Sequence, residues 1–406
     1  MLPMFLLSAR IAKEERFALF ATAFLAGAMP HVYTTAHSAP ATLGDLLVLT
    51  NLVLFLRLRT DARALGPLFL VSGTLIVTHH LSLYFFLLMA LGATVIRGLV
   101  RPWSAHAGAR REVAFLGLLI AGTFAYWFGY ATTFRDAILT DVNIRPWWLL
   151  FVAFALGLAG LVGFVGLRRR VTWRYRPQVP GVRRLAASFA AAAATILAIG
   201  VVTVLWGVPG TTVRIPPDGL LYFVPLTLLM SFSAAGRKFI DFERDGLHPS
   251  AWLVALLLSA MVGIAVAPRV LIPYRHTEFL MVPLGVLAGV GFFRLLDLSG
   301  WRHRKRAVVL AVCGGLLLAN GLAGIPPPSA VAGWREGTIP SALDPAYWAR
   351  EHASGLFVAD HHASTTVFGF GGLNATWDRT SAPFVSVDPC EGLRAISTPS
   401  GTRDGT

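Results

Sequence analysis

The stretch "LIVTHHLSLYFF", residues 75–86, places two adjacent histidines inside an apolar run that extends from Leu65 to Ile96. At about 1.5 Å per residue, one helix over that run would be about 48 Å long, against a hydrocarbon core of roughly 30 Å. Two short, tilted spans meeting near Thr78–His80 fit the thickness better. Arg57, Arg59 and Arg63 precede the run, and Arg97, Arg101, Arg110 and Arg111 follow it. A single span would put these two groups on opposite faces of a membrane. A hairpin puts both on the cytoplasmic face, where Lys and Arg are preferred. The sequence therefore predicts a helical hairpin with His79 and His80 at its tip. There the imidazoles meet water or headgroups, either as polar turn residues or as part of a cleft for an external ligand.

The rest of the chain has the same texture. It is 55% hydrophobic and 14% charged, with a positive mean hydropathy, far from the composition of a soluble globular domain. Apolar blocks alternate with short Arg-rich or Pro/Gly-rich pieces, the pattern of a polytopic helical membrane protein. A net charge of +14 on one soluble domain would suggest nucleic acid. Here the basic residues are scattered between apolar blocks, so no nucleic-acid partner is expected. The opening "MLPMFLL" is too short, and lacks the basic start, of a cleavable signal peptide. The two cysteines, Cys313 and Cys390, imply neither a disulfide framework nor a thiolate metal site.

Eleven spans are predicted, at 17–31, 43–56, 65–77, 81–96, 112–131, 147–167, 185–206, 220–236, 251–267, 277–293 and 307–325. With the N-terminus in the cytoplasm, 25 of the 35 basic residues fall on inner connections. Five fall outside, namely Arg135, Arg145, Arg214, Arg269 and Arg275, and five lie in the C-terminal tail, which an odd span count leaves extracytoplasmic. The predicted location is thus the cell membrane, multi-pass. The inner "RRRVTWRYRPQVPGVRR", residues 168–184, suits anionic headgroups, so membrane lipid is an expected partner.

The outer connections hold the candidate chemistry. "AMPHVYTTAHSAPATLGD", residues 28–45, contains His31, Tyr33, His37 and Asp45, with Pro30 and Pro40 limiting helix. His31 and His37 could join His79 or His80 around a divalent metal, although no recognised ligand spacing is present; interfacial turn residues are the plainer reading. "APRVLIPYRHTEFLMVPL", residues 267–284, carries Arg269 and Arg275 on the outer side against the charge rule, beside Tyr274, His276 and Glu278. A guanidinium there suits the phosphate of a lipid-linked donor. It also suits a snorkelling anchor or an Arg275–Glu278 pair at the start of the next helix. "TTFRDAILTDVNIRPWW" and "GVPGTTVRIPPDG" supply Arg135, Asp136, Asp141, Arg145, Arg214 and Asp218, read as solvated turns.

The chain divides at residue 325 into a transmembrane domain, 1–325, and an external C-terminal segment, 326–406, predicted to be a small α/β piece with a disordered end. "IPPPSAVAGW" is a linker. "DPAYWAREHAS" predicts a short helix capped by Asp344 with Pro345 at its first position. "GLFVAD" and "STTVFGFGG" predict strands. Asp360, His361, His362 and Asp378 form a polar cluster, either an acid/base or metal site or an ordinary strand end. "NAT", residues 374–376, matches an N-glycosylation acceptor.

Three segments in this order, "SARIAKEERFALFATAFLAGAMPHVYTTA", "LIVTHHLSLYFFLLMALG" and "PYRHTEFLMVPLGVLAGVGFF", with an external C-terminal segment, resemble the GT-C superfamily of integral-membrane glycosyltransferases. That group includes protein O-mannosyltransferases and oligosaccharyltransferase catalytic subunits. The resemblance implies an all-α, GT-C-like fold, an outward-facing site and a polyprenyl-phosphate-sugar donor, with Arg269 and Arg275 in the lipid-phosphate region. It also implies a key carboxylate in the first external loop. "MLPMFLLSAR" looks instead like the tail of the second span, so the first span, its loop and that carboxylate are expected to be missing. Asp45 and Glu278 are the candidates in its place. An N-terminally shortened chain, active or inactive as written, or an upstream translation start accounts for the gap. A polytopic transporter or lipid flippase, and a non-catalytic membrane subunit, are the competing functions. The uncharged centres of spans 112–131, 147–167, 185–206, 220–236 and 251–267 weigh against ion-coupled transport.

Overall fold

The structure, a computed structural model, describes residues 1–28, 40–100, 108–131, 182–207, 223–240, 245–266, 273–298, 340–354 and 361–373, and a few isolated positions between 307 and 357. Cα packing divides the chain into two compact units, Met1–Ile325 and Pro326–Thr406.

The first unit is a helical bundle. Its described helices are α1 (Leu2–Ala12), α2 (Glu15–Gly27), α3 (Pro40–Leu58), α4 (Leu65–Thr78), α5 (His80–Val100), α6 (Ala109–Gly129), α7 (Val182–Trp206), α8 (Phe223–Gly236), α9 (His248–Val266) and α10 (Pro273–Leu298). Among the described residues, five segments are long and apolar enough to cross a bilayer: Ala41–Leu58, His80–Gly98, Ala109–Gly129, Ala187–Trp206 and His276–Asp297. Leu2–Ala12, Ala62–Thr78, Leu226–Gly236 and His248–Gly263 are apolar and shorter. The protein is an all-α, membrane-embedded chain. Of the predicted spans, 43–56, 81–96, 112–131, 185–206 and 277–293 coincide with these five segments; 147–167 lies outside the described residues, and 307–325 is described only at isolated positions.

The predicted break at the histidines is present. α4 ends at Thr78, His79 is extended (φ −154°, ψ 103°), and α5 begins at His80. The chain folds back there: Arg59, just before α4, and Arg97, near the end of α5, both pair with Glu112 at the start of α6. The two basic groups flanking the hairpin therefore lie at one end of the bundle, the Arg97 end. The hinge lies at the other, the His79 end.

α10 is the central helix. Its spanning window is 78% buried, whereas that of α7 is 17% buried, and α7 presents Leu197, Ile199, Val201, Val202 and Leu205 outward. So broad an apolar surface suits lipid and not water. Glycines let backbones approach α10 closely, as in membrane helix packing where small residues line the contact. A methyl group on Gly289 would lie 2.7 Å from the Phe17 carbonyl of α2. On Gly236 or Gly291 it would land on the backbone of the facing helix, since α8 and α10 cross there. Ser233 Oγ, on α8, donates to the Leu284 carbonyl of α10 at 2.8 Å, one residue after Pro283. Phe20 stacks on Phe292, and Phe85 on Phe279.

At the Arg97 end the turn from α1 to α2 passes through Lys13 in the left-handed region (φ 59°), a position that usually falls to Gly or Asn. Glu14, in that turn, accepts from Arg16 and from Arg294 of α10.

The second unit, described by itself, contains α11 (Pro340–His352) and α12 (His361–Gly371). No β-strand occurs among its described residues; "GLFVAD", one of the two predicted strands, lies outside them except for Phe357, an isolated bridge, while the other is corrected. "STTVFGFGG", predicted as a strand, lies mostly in α12. There Gly371 packs against α11, a methyl group on it falling 3.0 Å from the Ala346 carbonyl. Helix–helix packing overrides the β-branched run Thr365–Val367. α11 also starts earlier than predicted, at Pro340, with Pro345 inside it, so Asp344 is not its cap.

Candidate functional site

Among the described residues, the buried ionisable side chains gather in two clusters, one at each end of the bundle. At the Arg97 end, Glu112 takes Arg97 Nη1 on one carboxylate oxygen and Arg59 Nε on the other, the latter at 3.3 Å. Asp245, in the turn before α9, takes Arg59 at 3.2 Å and Arg10 at 2.9 Å. Arg10 also donates to the Leu56 carbonyl at 3.1 Å. Arg97 Nη2 lies 2.9 Å from His248 Nε2, and His248 Nδ1 lies 2.9 Å from the Asp245 carbonyl. Three guanidinium groups thus face two carboxylates and one imidazole, with Glu112 and His248 each 1% exposed. Charges buried this deeply are costly unless paired; here Arg97 Nε and Glu112 Oε1 lack a hydrogen bond, the latter lying 3.3 Å from Arg59 Nε. This cluster ties α1, α6, α9 and the α4–α5 hairpin together and acts as a clamp.

The His79 end differs. Asp45, in the second turn of α3, is 5% exposed. Neither of its carboxylate oxygens has a nitrogen or hydroxyl donor, and the side chain that approaches it is Glu278, in the second turn of α10 and 8% exposed. Two buried carboxyl groups from separate helices thus come together at this end of the bundle.

Beside it runs a hydrogen-bonded chain across three helices. His276 Nε2, on α10, is 2.9 Å from Ser259 Oγ on α9, which is 2.5 Å from the Tyr84 hydroxyl on α5. His276 is 1% exposed and meets the Phe85 ring edge-to-face. Such a chain can pass a proton or fix a hydroxyl-bearing ligand.

His79 has a structural task. Its Nδ1 accepts from the Ser82 N–H at 3.3 Å and lies 2.8 Å from Ser82 Oγ, capping α5 as a Ser or Asp side chain would. Gly44, next to Asp45, lets α3 reach this hinge; a methyl group on it would fall 2.6 Å from Ser82 Oγ. His80 is exposed and its ring lies 5.6 Å from that of His79.

Of the residues expected from sequence, the structure brings Asp45 and Glu278 together and places His276 and His79 at the same end. Tyr274 and Arg275 occupy the first turn of α10. His31, Tyr33, His37 and Arg269 lie outside the described residues, as do Arg135, Asp136, Asp141, Arg145, Arg214, Asp218, Asp360 and Asp378. His361 and His362 open α12. Among the described residues no group of three or more His, Cys, Asp or Glu side chains is arranged to hold a metal ion. Sequence reasoning missed Tyr84, Ser259 and the Arg97 clamp. The available signal was Glu112 and Asp245, acidic residues in connections otherwise rich in arginine.

Comparison with protein-family models, with curated proteins and with solved structures returns no match.

Proposed function

We propose that this protein is a GT-C-like membrane glycosyltransferase whose substrate site lies at the His79 end, facing the extracytoplasmic side. In this reading the chain crosses the membrane eleven times, with the N-terminus in the cytoplasm and the C-terminal segment outside. The donor is a polyprenyl-phosphate-linked sugar held at headgroup depth by Arg269 and Arg275. The observation that carries the reading is the set of polar side chains at one end of the bundle, buried Asp45, Glu278, His276 and Ser259 with half-buried Tyr84, at the end where α10 carries Arg275 in its first turn. A group-transfer site needs a proton acceptor and cations for a departing phosphate. Asp45 or Glu278 supplies the first, and the two arginines the second.

The test is binding of a short-chain polyprenyl-phosphate analogue to the purified protein in nanodiscs. Arg269→Ala and Arg275→Ala should each weaken binding about tenfold or more, the worth of a charge-assisted hydrogen bond. A lipid flippase or transporter is the second reading, favoured by the burial of Asp45 and Glu278, since intramembrane carboxyls mark ion pathways. Flux of a labelled polyprenyl-phosphate across proteoliposomes, without transfer, would select it.

A further inference from the structure

We propose that α11 and α12 form an interfacial anchor, which lays exposed aromatic side chains into the headgroup region of the bilayer and holds the C-terminal unit on the membrane surface. The two helices pack on each other through small side chains. Ala346 and Ala349, one turn apart on α11, and Thr366 on α12 are buried. A methyl group on Gly371 would fall 3.0 Å from the Ala346 carbonyl. The large side chains stay outside: Trp348 is 61% exposed, Phe368 53%, Phe370 46% and Tyr347 40%. A helix pair in water buries its large apolar residues and leaves small or polar ones outside. Small residues at the contact, with large apolar ones outward, is the arrangement of helices that meet in lipid.

Neither helix is long enough to cross a bilayer. At about 1.5 Å per residue, α11 and α12 are about 20 Å and about 17 Å long, against a hydrocarbon core of roughly 30 Å. The rings also carry polar neighbours. The Arg350 guanidinium lies 5.4 Å from the centre of the Tyr347 ring, and the His352 ring stacks on Trp348 at 5.0 Å. An apolar ring with a polar group beside it suits headgroup depth, where Trp and Tyr concentrate.

Charge decides which property of the lipid is read. Residues 326–406 hold 5 arginines and no lysine against 8 acidic residues, a net charge of −3. Anionic headgroups do not attract such a unit, so insertion of the rings drives the contact. Residues 326–339 tether α11 to the membrane-embedded unit, and a tether of that length reaches no more than about 50 Å. Held so near a bilayer, a weak surface affinity is enough. The inference rests on neither the transferase nor the flippase reading, and it holds whichever side of the membrane the unit occupies.

Nitroxide labels on the full-length protein in nanodiscs of zwitterionic lipid test the anchor. With Cys313 and Cys390 replaced by serine, Trp348→Cys and Phe370→Cys each carry one label and leave the other rings in place. Val201→Cys, on the outward face of α7, gives the bilayer reference. Collision with oxygen, which concentrates in hydrocarbon, is compared with collision with a water-soluble nickel chelate. Labels at 348 and 370 should meet oxygen more than nickel, less markedly than at 201, and equally in low and high salt. Trp348→Glu should shift the label at 370 towards nickel. An excess of nickel at either position would overturn the proposal, as a solvated unit. So would little collision with both reagents, which marks a contact with protein, whether the rest of the chain or a second copy. Loss of the oxygen preference in high salt, or no response to Trp348→Glu, would equally overturn it.

Discussion

Arg97 reaches His248 across 2.9 Å, from the end of α5 to the start of α9, and this contact fixes the state of the imidazole. A guanidinium only donates, so His248 Nε2 accepts. The ring's proton is then on Nδ1, donated to the Asp245 carbonyl at 2.9 Å. His248 is a neutral connector between a cation and a backbone acceptor.

Removing Arg97 strands a buried carboxylate. Arg97→Met should destabilise the bundle by about 3–5 kcal/mol, the usual cost of leaving one member of a buried pair alone. Arg97→Met combined with Glu112→Gln should recover much of that loss. Thermal unfolding in one detergent, across the four members of the cycle, measures the coupling.

The glycine contacts separate by position. Gly291→Ala places a methyl group on the backbone of α8, and Gly117, on α6, has open space around it. The first substitution should cost about 1–3 kcal/mol or more through overpacking. The second should be neutral or stabilising by up to about 1 kcal/mol, because alanine is the better helix former. Equal unfolding temperatures for the two variants would refute the close α8–α10 crossing.

The hinge imidazole acts through the cap it supplies. His79→Ala should destabilise by about 1 kcal/mol, and His79→Asn should keep most of the stability because its side-chain oxygen reaches the same N–H. Hydrogen exchange at Ser82 is the local readout: faster in His79→Ala, close to wild type in His79→Asn.

The hairpin was readable in the sequence because two crude quantities, helix rise against membrane thickness and the placement of arginine, both point to Thr78–His80. The helices follow from long apolar blocks for the same reason. The carboxyl pair was not readable as a pair. Asp45 and Glu278 could each be singled out, but nothing local links residues so far apart in the chain; only the packing of α3, α5 and α10 brings them together. The Arg97 clamp was hidden by its own composition, since Arg59 and Arg97 serve the charge asymmetry equally well whether or not they are paired. α12 was misread because Thr365, Thr366 and Val367 favour strand in isolation, and the partner helix that decides the matter is remote in pattern if not in sequence.

The account rests on the His79 end facing outward and the Arg97 end facing the cytoplasm. In a cysteine-free background, with Cys313 and Cys390 replaced by serine, His80→Cys and Arg110→Cys place single thiols at exposed positions of the two ends. Labelling of intact cells with a membrane-impermeant maleimide should modify position 80 readily and position 110 only after the cells are opened. Modification of position 110 in intact cells, with position 80 protected until lysis, would contradict the orientation and with it the extracytoplasmic site.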